Sequence, residues 1–327
     1  VNHEQDMKIR TLIPIFLAWL AGLSLLSSAA AAEEIVLPDP CFLFSYFTKN
    51  GEDGLHLAWS TDGLLWKPLK RGEPFLTPKV GKSKLMRDPC VTRAPDGRFH
   101  MVWTDSWNSR TIGYASSKDL IHWSEQKELA VMSHEPTAKN CWVPEIIHDR
   151  EQDCFVIFWA STIPGRFPDT DPGGKENDHR IYATTTKDFE TFSPTRLFFD
   201  PGFNCIDSTL IMTGGRAVMF FKDETKFPKP VKNLRIATAS SLSGPYQVEE
   251  QPVNPPGSWV EGPSALKIGD RMILYFDAYT KHHYAALISG DLKQWEDVTP
   301  SLAMPAGIRH GTAFPVPAGI LHELLMQ

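Results

Sequence analysis

Four short runs place an acid where an apolar, strand-like stretch begins: Arg87-Asp88-Pro89, Trp142-Val143-Pro144-Glu145, Asn204-Cys205-Ile206-Asp207 and Trp259-Val260-Glu261-Gly262-Pro263. A fifth run, Arg309-His310-Gly311, carries a histidine instead. One acid beside proline or glycine is ordinary turn capping. Four at comparable points are another matter, because carboxylates gathered at one place repel and resist desolvation. Crowded carboxyls suit acid–base work on a glycosidic bond. One protonates the leaving oxygen, a second activates water or attacks the sugar, and crowding raises the pKa of the donor. A cation held by the acids fits less well, since among eleven histidines only His310 stands at such a point.

These runs must be brought together by the elements around them. Five times a small-residue strand meets a short turn and then an aromatic residue: LHLAWSTDGLLW (55–66), IGYASSKDLIHW (112–123), IYATTTKDFETF (181–192), LRIATASSLSGPY (234–246) and YAALISGDLKQW (284–295). Asp62, Asp119, Asp188 and Asp291 precede the closing rings of Trp66, Trp123, Phe192 and Trp295. Strand-rich repeats spaced by roughly 40–60 residues imply a radial array, here a five-bladed β-propeller. Hairpin turns at Pro95-Asp96-Gly97, Asp149 to Asp153, Gly214-Gly215 and Gly269-Asp270 supply two further strands ahead of four of the repeats. Only FLFSYF (42–47) precedes the first, so the missing inner strand is expected from the other end of the chain, at RHGTAFPV (309–316), which closes the ring and removes an open edge. Inner strands converge on one axis, and that is where the acids would meet. The Pro-, Gly- and Asp-rich stretch 163–178 reads as a surface insertion near the mouth.

The ordered set RDP, IDST and EGP on successive blades resembles glycoside hydrolase family 43, over residues 40–317. That resemblance implies an all-β, five-bladed propeller with inversion at the anomeric carbon. It implies Asp88 as the base that activates water, Asp207 as the residue that orients and tunes the donor, and Glu261 as the general acid. Glu145 matches a position near the substrate. His310 resembles an axial histidine that binds water or a calcium ion in the central channel, with no cofactor required for the chemistry; a buried histidine satisfied by backbone is the competing reading. Trp107, Trp142 and Trp159 flank inner strands, where a ring can stack on a sugar, and Arg309 could reach a sugar hydroxyl. The substrate expected is a poly- or oligosaccharide bearing a terminal α-L-arabinofuranose, with β-xylosidase or galactosidase action as alternatives and a non-catalytic carbohydrate-binding propeller as the reading from another class. Fructoside-cleaving relatives need an Asn-Asp-Pro-Asn-Gly setting that LPDPCF (37–42) lacks. Phosphorolysis needs a basic cluster that the sequence does not display.

Net charge of −6 over 327 residues provides no basic field for nucleic acid. Met7-Lys8-Ile9-Arg10, the apolar stretch Thr11 to Leu26 and the small residues Ser27 to Ala32 have the layout of a signal peptide. The expected division is therefore a signal segment with an upstream extension (1–32), a propeller (33–317) and a short tail (318–327), in an exported protein with no membrane span after cleavage. Five cysteines are an odd count without CxxC spacing, so Cys90, Cys141 and Cys205 read as small buried hydrophobes.

Overall fold

Alternating apolar residues build twenty strands, β1 to β20, in the computed structural model, which describes residues 37–254 and 257–327. The expected signal segment lies outside the described residues. The second blade is β4 (Arg87–Arg93), β5 (Phe99–Thr104), β6 (Ile112–Ser117) and β7 (Lys127–Leu129). The third is β8 (Trp142–Asp149), β9 (Cys154–Thr162), β10 (His179–Thr186) and β11 (Arg196–Phe199). The fourth is β12 (Cys205–Thr213), β13 (Arg216–Asp223), β14 (Asn233–Ala239) and β15 (Gln247–Val248). The fifth is β16 (Glu261–Ile268), β17 (Arg271–Ala278), β18 (His283–Ser289) and β19 (Glu296–Asp297).

The first blade is split between distant parts of the chain. β20 (Ile308–Val316) pairs antiparallel with β1 (Cys41–Thr48), which continues to β2 (His56–Ser60) and β3 (Lys67–Pro68). The five inner strands touch in cyclic order, β20 to β4, β8, β12, β16 and back to β20. The propeller is closed. Residues 318–325 form a helix, α1 (Ala318–Leu325), whose Leu321 and Leu324 enter the core between the first two blades.

The conspicuous outer repeat is a turn staple. In the second blade the Asp119 carboxylate accepts the N–H groups of Ile121 (2.9 Å) and His122 (2.7 Å). Ser117 Oγ accepts those of Asp119 and Leu120, and the indole of Trp123 donates to the Leu120 carbonyl (3.1 Å). Asp62 and Asp291 do the same at their own turns, and Asp188 does so ahead of Phe192. Local hydrogen bonds of this kind need no tertiary partner, which is why they recur so visibly in the sequence. All five cysteines are free, with Cys41, Cys90, Cys141 and Cys205 buried.

Candidate active site

Every inner strand carries a β-bulge near its start. The pairing register slips between Arg87 and Cys90, Trp142 and Glu145, Ile206 and Thr209, and Glu261 and Ser264. The residue after the first of each pair has a left-handed backbone: Asp88 (φ 52°), Val143 (φ 50°), Asp207 (φ 54°) and Gly262 (φ 59°). Bulges re-aim side chains, and a non-glycine residue held at positive φ marks stored strain.

The bulges show that the four acids are not equivalent, contrary to the uniform inner-strand pattern read from the sequence. Asp88 and Asp207 occupy the bulge residue itself. Glu261 stands one residue earlier, and Glu145 two residues later. With roughly 3.3 Å of rise per residue, this one-residue bookkeeping spreads the acids along the axis. Glu261 is the most open of them, its side chain 29% exposed. Glu145 is as enclosed as Asp88 and Asp207.

Asp88 is buried and held from two sides. Thr104 Oγ1 donates to its Oδ2 (2.8 Å), and His310 Nδ1 stands 3.4 Å from its Oδ1. Burial pushes this carboxyl up, yet the hydrogen bond and charge of His310, with the charge of Arg87, outweigh it and hold Asp88 below the ordinary carboxylate range. Burial would likewise lower His310, but its bond to Asp88 and the charges of Asp88, Asp207 and Glu145 raise it to about 9. The pair is an ionised carboxylate against an imidazolium. The close approach of that ring depends on Gly262: a Cβ there would meet His310 Cγ at 2.6 Å.

Asp207 is raised to about 6 by burial, with the negative charges of Glu261 and Asp88 adding to it and those of His310 and Lys222 opposing. Its Oδ2 accepts the Gly262 N–H (3.0 Å), which ties it to the strand that carries Glu261. Burial raises Glu145 to about 8, against hydrogen bonds from Thr209 and the Leu210 N–H.

Calcium was the cation expected beside His310. It takes six to eight oxygens, mostly charged or carbonyl, and the acids nearest His310 are engaged by protein partners, Asp88 by Thr104 and Asp207 by the Gly262 N–H. Among the described residues no group of three His, Cys, Asp or Glu side chains is arranged to hold a metal ion. His310 lies against Asp88.

The aromatic wall is partly where it was expected. Trp107 is 41% exposed and meets Trp142 edge to face at 5.5 Å, 86° between planes. The Trp142 indole donates to the Trp107 carbonyl (2.8 Å), and the Trp107 indole donates to Asn50 Oδ1 (3.0 Å). Arg87 lies over Trp107 at 4.2 Å and over Phe47 at 4.6 Å. This fixes Trp107 as a rigid platform. Trp159 is a correction: it is fully buried in the core shared by the second and third blades, packed with Ile157 and Tyr182, and cannot meet a sugar. Strand alternation turned its ring between blades.

Arg309 is also used differently from the expectation. Its Nε donates to Asp277 Oδ2 (3.0 Å) and its Nη2 to Glu261 Oε1 (3.3 Å), so the guanidinium is engaged by protein acids. Glu261 Oε2 accepts from Lys222 Nζ (3.2 Å). Sequence reading missed Thr104, Lys222 and Asp277. They share one register position, opposite the residue before each bulge: Arg87 to Thr104, Ile206 to Lys222 and Glu261 to Asp277. Each reaches the inner strand of the next blade, Thr104 through the Val143 N–H (2.9 Å). A polar residue ending an otherwise apolar strand, as in MFFKD and LYFDA, was the available signal.

A family profile described as a probable glycosyl hydrolase domain, related to glycoside hydrolase family 43, matches residues 39–319. The chain belongs to this family. An alpha-L-arabinofuranosidase of Bifidobacterium longum subsp. longum is 22% identical over 276 residues, 71% of this chain and 25% of that protein. The family member described here thus spans about a quarter of the curated relative it matches. An alpha-L-arabinofuranosidase structure from Lactobacillus brevis has a TM-score of 0.52 at 17% identity, covering 65% of this chain and 72% of the other. A thermostable family-43 glycoside hydrolase has a TM-score of 0.50 at 16% identity, with 65% and 71% covered. Both share the fold.

Proposed function

We propose that this family member is an exported, inverting, exo-acting glycoside hydrolase that releases a terminal α-L-arabinofuranose from plant-type poly- or oligosaccharides. One observation carries the reading: three carboxyls meet at the axis in three different electrostatic settings. His310 holds Asp88 below the ordinary carboxylate range, Asp207 is raised to about 6, and Glu261 is the most exposed of the three. Pairs of carboxyls pushed apart in this way mark acid and base assignments.

Asp88 takes a proton from water, and the water oxygen attacks the anomeric carbon from the face opposite the leaving group. Glu261 gives its proton to the glycosidic oxygen as the carbon–oxygen bond breaks. The sugar leaves with inverted configuration, and solvent returns both carboxyls to their starting states. This geometry needs roughly 6.5–9.5 Å between the two carboxyls to admit water. Asp207, bonded to the Gly262 N–H, keeps a partly neutral carboxyl beside the donor. Trp107 offers its open face to a sugar ring. The arabinofuranosidase relative supports the choice of pentose, and the signal-like pattern of residues 7–32 supports export.

Hydrolysis of 4-nitrophenyl glycosides of arabinofuranose, xylose and galactose by wild type, Asp88→Asn and Glu261→Gln tests the reading. Each substitution is expected to cost roughly 10²–10⁴-fold, and Glu261→Gln recovers on a dinitrophenyl glycoside, whose leaving group needs no proton. Sugar binding without turnover, unchanged by either substitution, would establish a binding propeller instead.

A further inference from the structure

The general acid sits in an unbroken row of alternating charges. Lys232 pairs with Glu224, Glu224 with Lys222 (2.8 Å), Lys222 with Glu261 (3.2 Å), Glu261 with Arg309 (3.3 Å) and Arg309 with Asp277 (3.0 Å). The row runs from the loop after β13, across β16 to Arg309 of β20 in the first blade, and back to Asp277 of β17. Lys222 is its most enclosed member, with a side chain 6% exposed against 15% for Glu224 and 29% for Glu261. Its ammonium also lies 5.1 Å from the Tyr279 ring.

This arrangement conflicts with the demand on a general acid. Two cations touch Glu261, which must nevertheless carry a proton when it acts. A buried lysine with one partner would be stranded when that partner took a proton, and an uncompensated buried charge is strongly destabilising. Lys222 avoids this because its shorter contact is to Glu224.

Resting on the hydrolase reading, we propose that Lys222 and Glu224 form a positioning pair that lets Glu261 alternate between carboxylate and acid. With Glu261 ionised, Lys222 bridges both glutamates and orients the Glu261 carboxyl toward the mouth. With Glu261 protonated, Lys222 settles on Glu224 and its charge stays neutralised. The remaining groups are Asp207 from β12, whose charge acts on both Lys222 and Glu261, Asp277 from β17 and Arg309 from β20, with His310 acting on Asp207 and Tyr279 beyond Lys222. None of these offers the ammonium a second carboxylate at contact distance, and Glu224 does.

The inference predicts opposite effects from the two members of the pair. Lys222→Met removes a cation from Glu261, so Glu261 keeps its proton to higher pH, by roughly one unit or more. Glu224→Gln leaves Glu261 as the one carboxylate in contact with Lys222, beside the longer-range charge of Asp207, so Glu261 loses its proton at lower pH than in the wild type, by a similar amount. Lys222→Arg retains the wild-type midpoint to within a few tenths of a unit. The readout is the ¹³C carboxyl titration of glutamate-labelled protein, with the Glu261 resonance assigned by its loss in Glu261→Gln. The basic limb of kcat/KM on an aryl glycoside follows the same midpoints. Opposite shifts support the pair. Shifts of one sign in both variants, or none, overturn it, and if Lys222→Met does not fold, an unmoved or upward midpoint in Glu224→Gln does so alone. Absence of aryl glycoside turnover in the wild type would refute the hydrolase reading itself, a separate outcome from failure of the pair.

Discussion

Replacing Glu145 with glutamine removes a buried titration while keeping the side chain's size and its ability to bond Thr209. Glu145 is raised from 4.5 to about 8, chiefly by burial. A carboxyl raised on folding stabilises the folded state fully below its unfolded value, and that contribution is lost as pH climbs through the folded one. The displacement is about 3.5 units, so at 1.36 kcal/mol per unit the wild type gives up about 5 kcal/mol between pH 4 and pH 9 through this residue, with about 3 kcal/mol gone by pH 7. Glu145→Gln loses none of it. Urea unfolding of both proteins at pH 5, 7 and 9 should give a stability difference that moves steadily in favour of the variant as pH rises. At pH 5 the two should lie within about 1 kcal/mol, the scale of one exchanged hydrogen bond. Asp207 and His310 titrate in both proteins, so the difference reports Glu145 together with its coupling to those two groups. A constant difference across the three pH values would refute the enclosure of this carboxyl.

Other perturbations reach the site and the scaffold separately. His310→Asn removes the imidazolium that holds Asp88 low, so the acidic limb of kcat/KM should move up by roughly one unit or more, as read in a pH–rate profile; an unmoved limb would separate His310 from the base. Trp107→Ala should raise KM roughly 3- to 10-fold, in line with about 0.5–1.5 kcal/mol for one aromatic contact, with kcat changed far less. Trp159→Ala should cost about 3–5 kcal/mol of stability as a core truncation, measured by denaturant unfolding, with KM unaltered while the protein remains folded. Asp119→Ala should cost about 1 kcal/mol, comparable to a lost helix cap, because two backbone N–H groups lose their acceptor.

How far the molecule could be read from its residues depended on how local each interaction is. The turn staples of Asp62, Asp119, Asp188 and Asp291 are closed within five residues, so they repeat legibly and set the blade register. That register then located the strand lent by residues 309–316 and the acid-bearing inner strands. The bulges are not written in the same way. They arise where the inner strand bends toward the axis, and they separate Glu145 from Glu261 by three residues of depth although both stand beside proline or glycine. Lys222 and Asp277 were hidden because their partners belong to the following blade, a contact that only closure of the ring creates. Trp159 was misplaced for a related reason: its neighbours in sequence do not say whether a ring at a strand's end turns to the axis or between two sheets. His310 was identified as axial, but its role followed from Asp88 lying within reach, not from its own sequence setting.

The central claim is that Asp88 and Glu261 act on opposite faces of one glycosidic bond. The most direct test is proton NMR of the sugar first released from an aryl α-L-arabinofuranoside, recorded before mutarotation. The account predicts that the β-anomer appears first and then relaxes toward the equilibrium mixture. Initial release of the α-anomer would mean a double displacement with retention, and would contradict the assignment of Asp88 as a base that activates water.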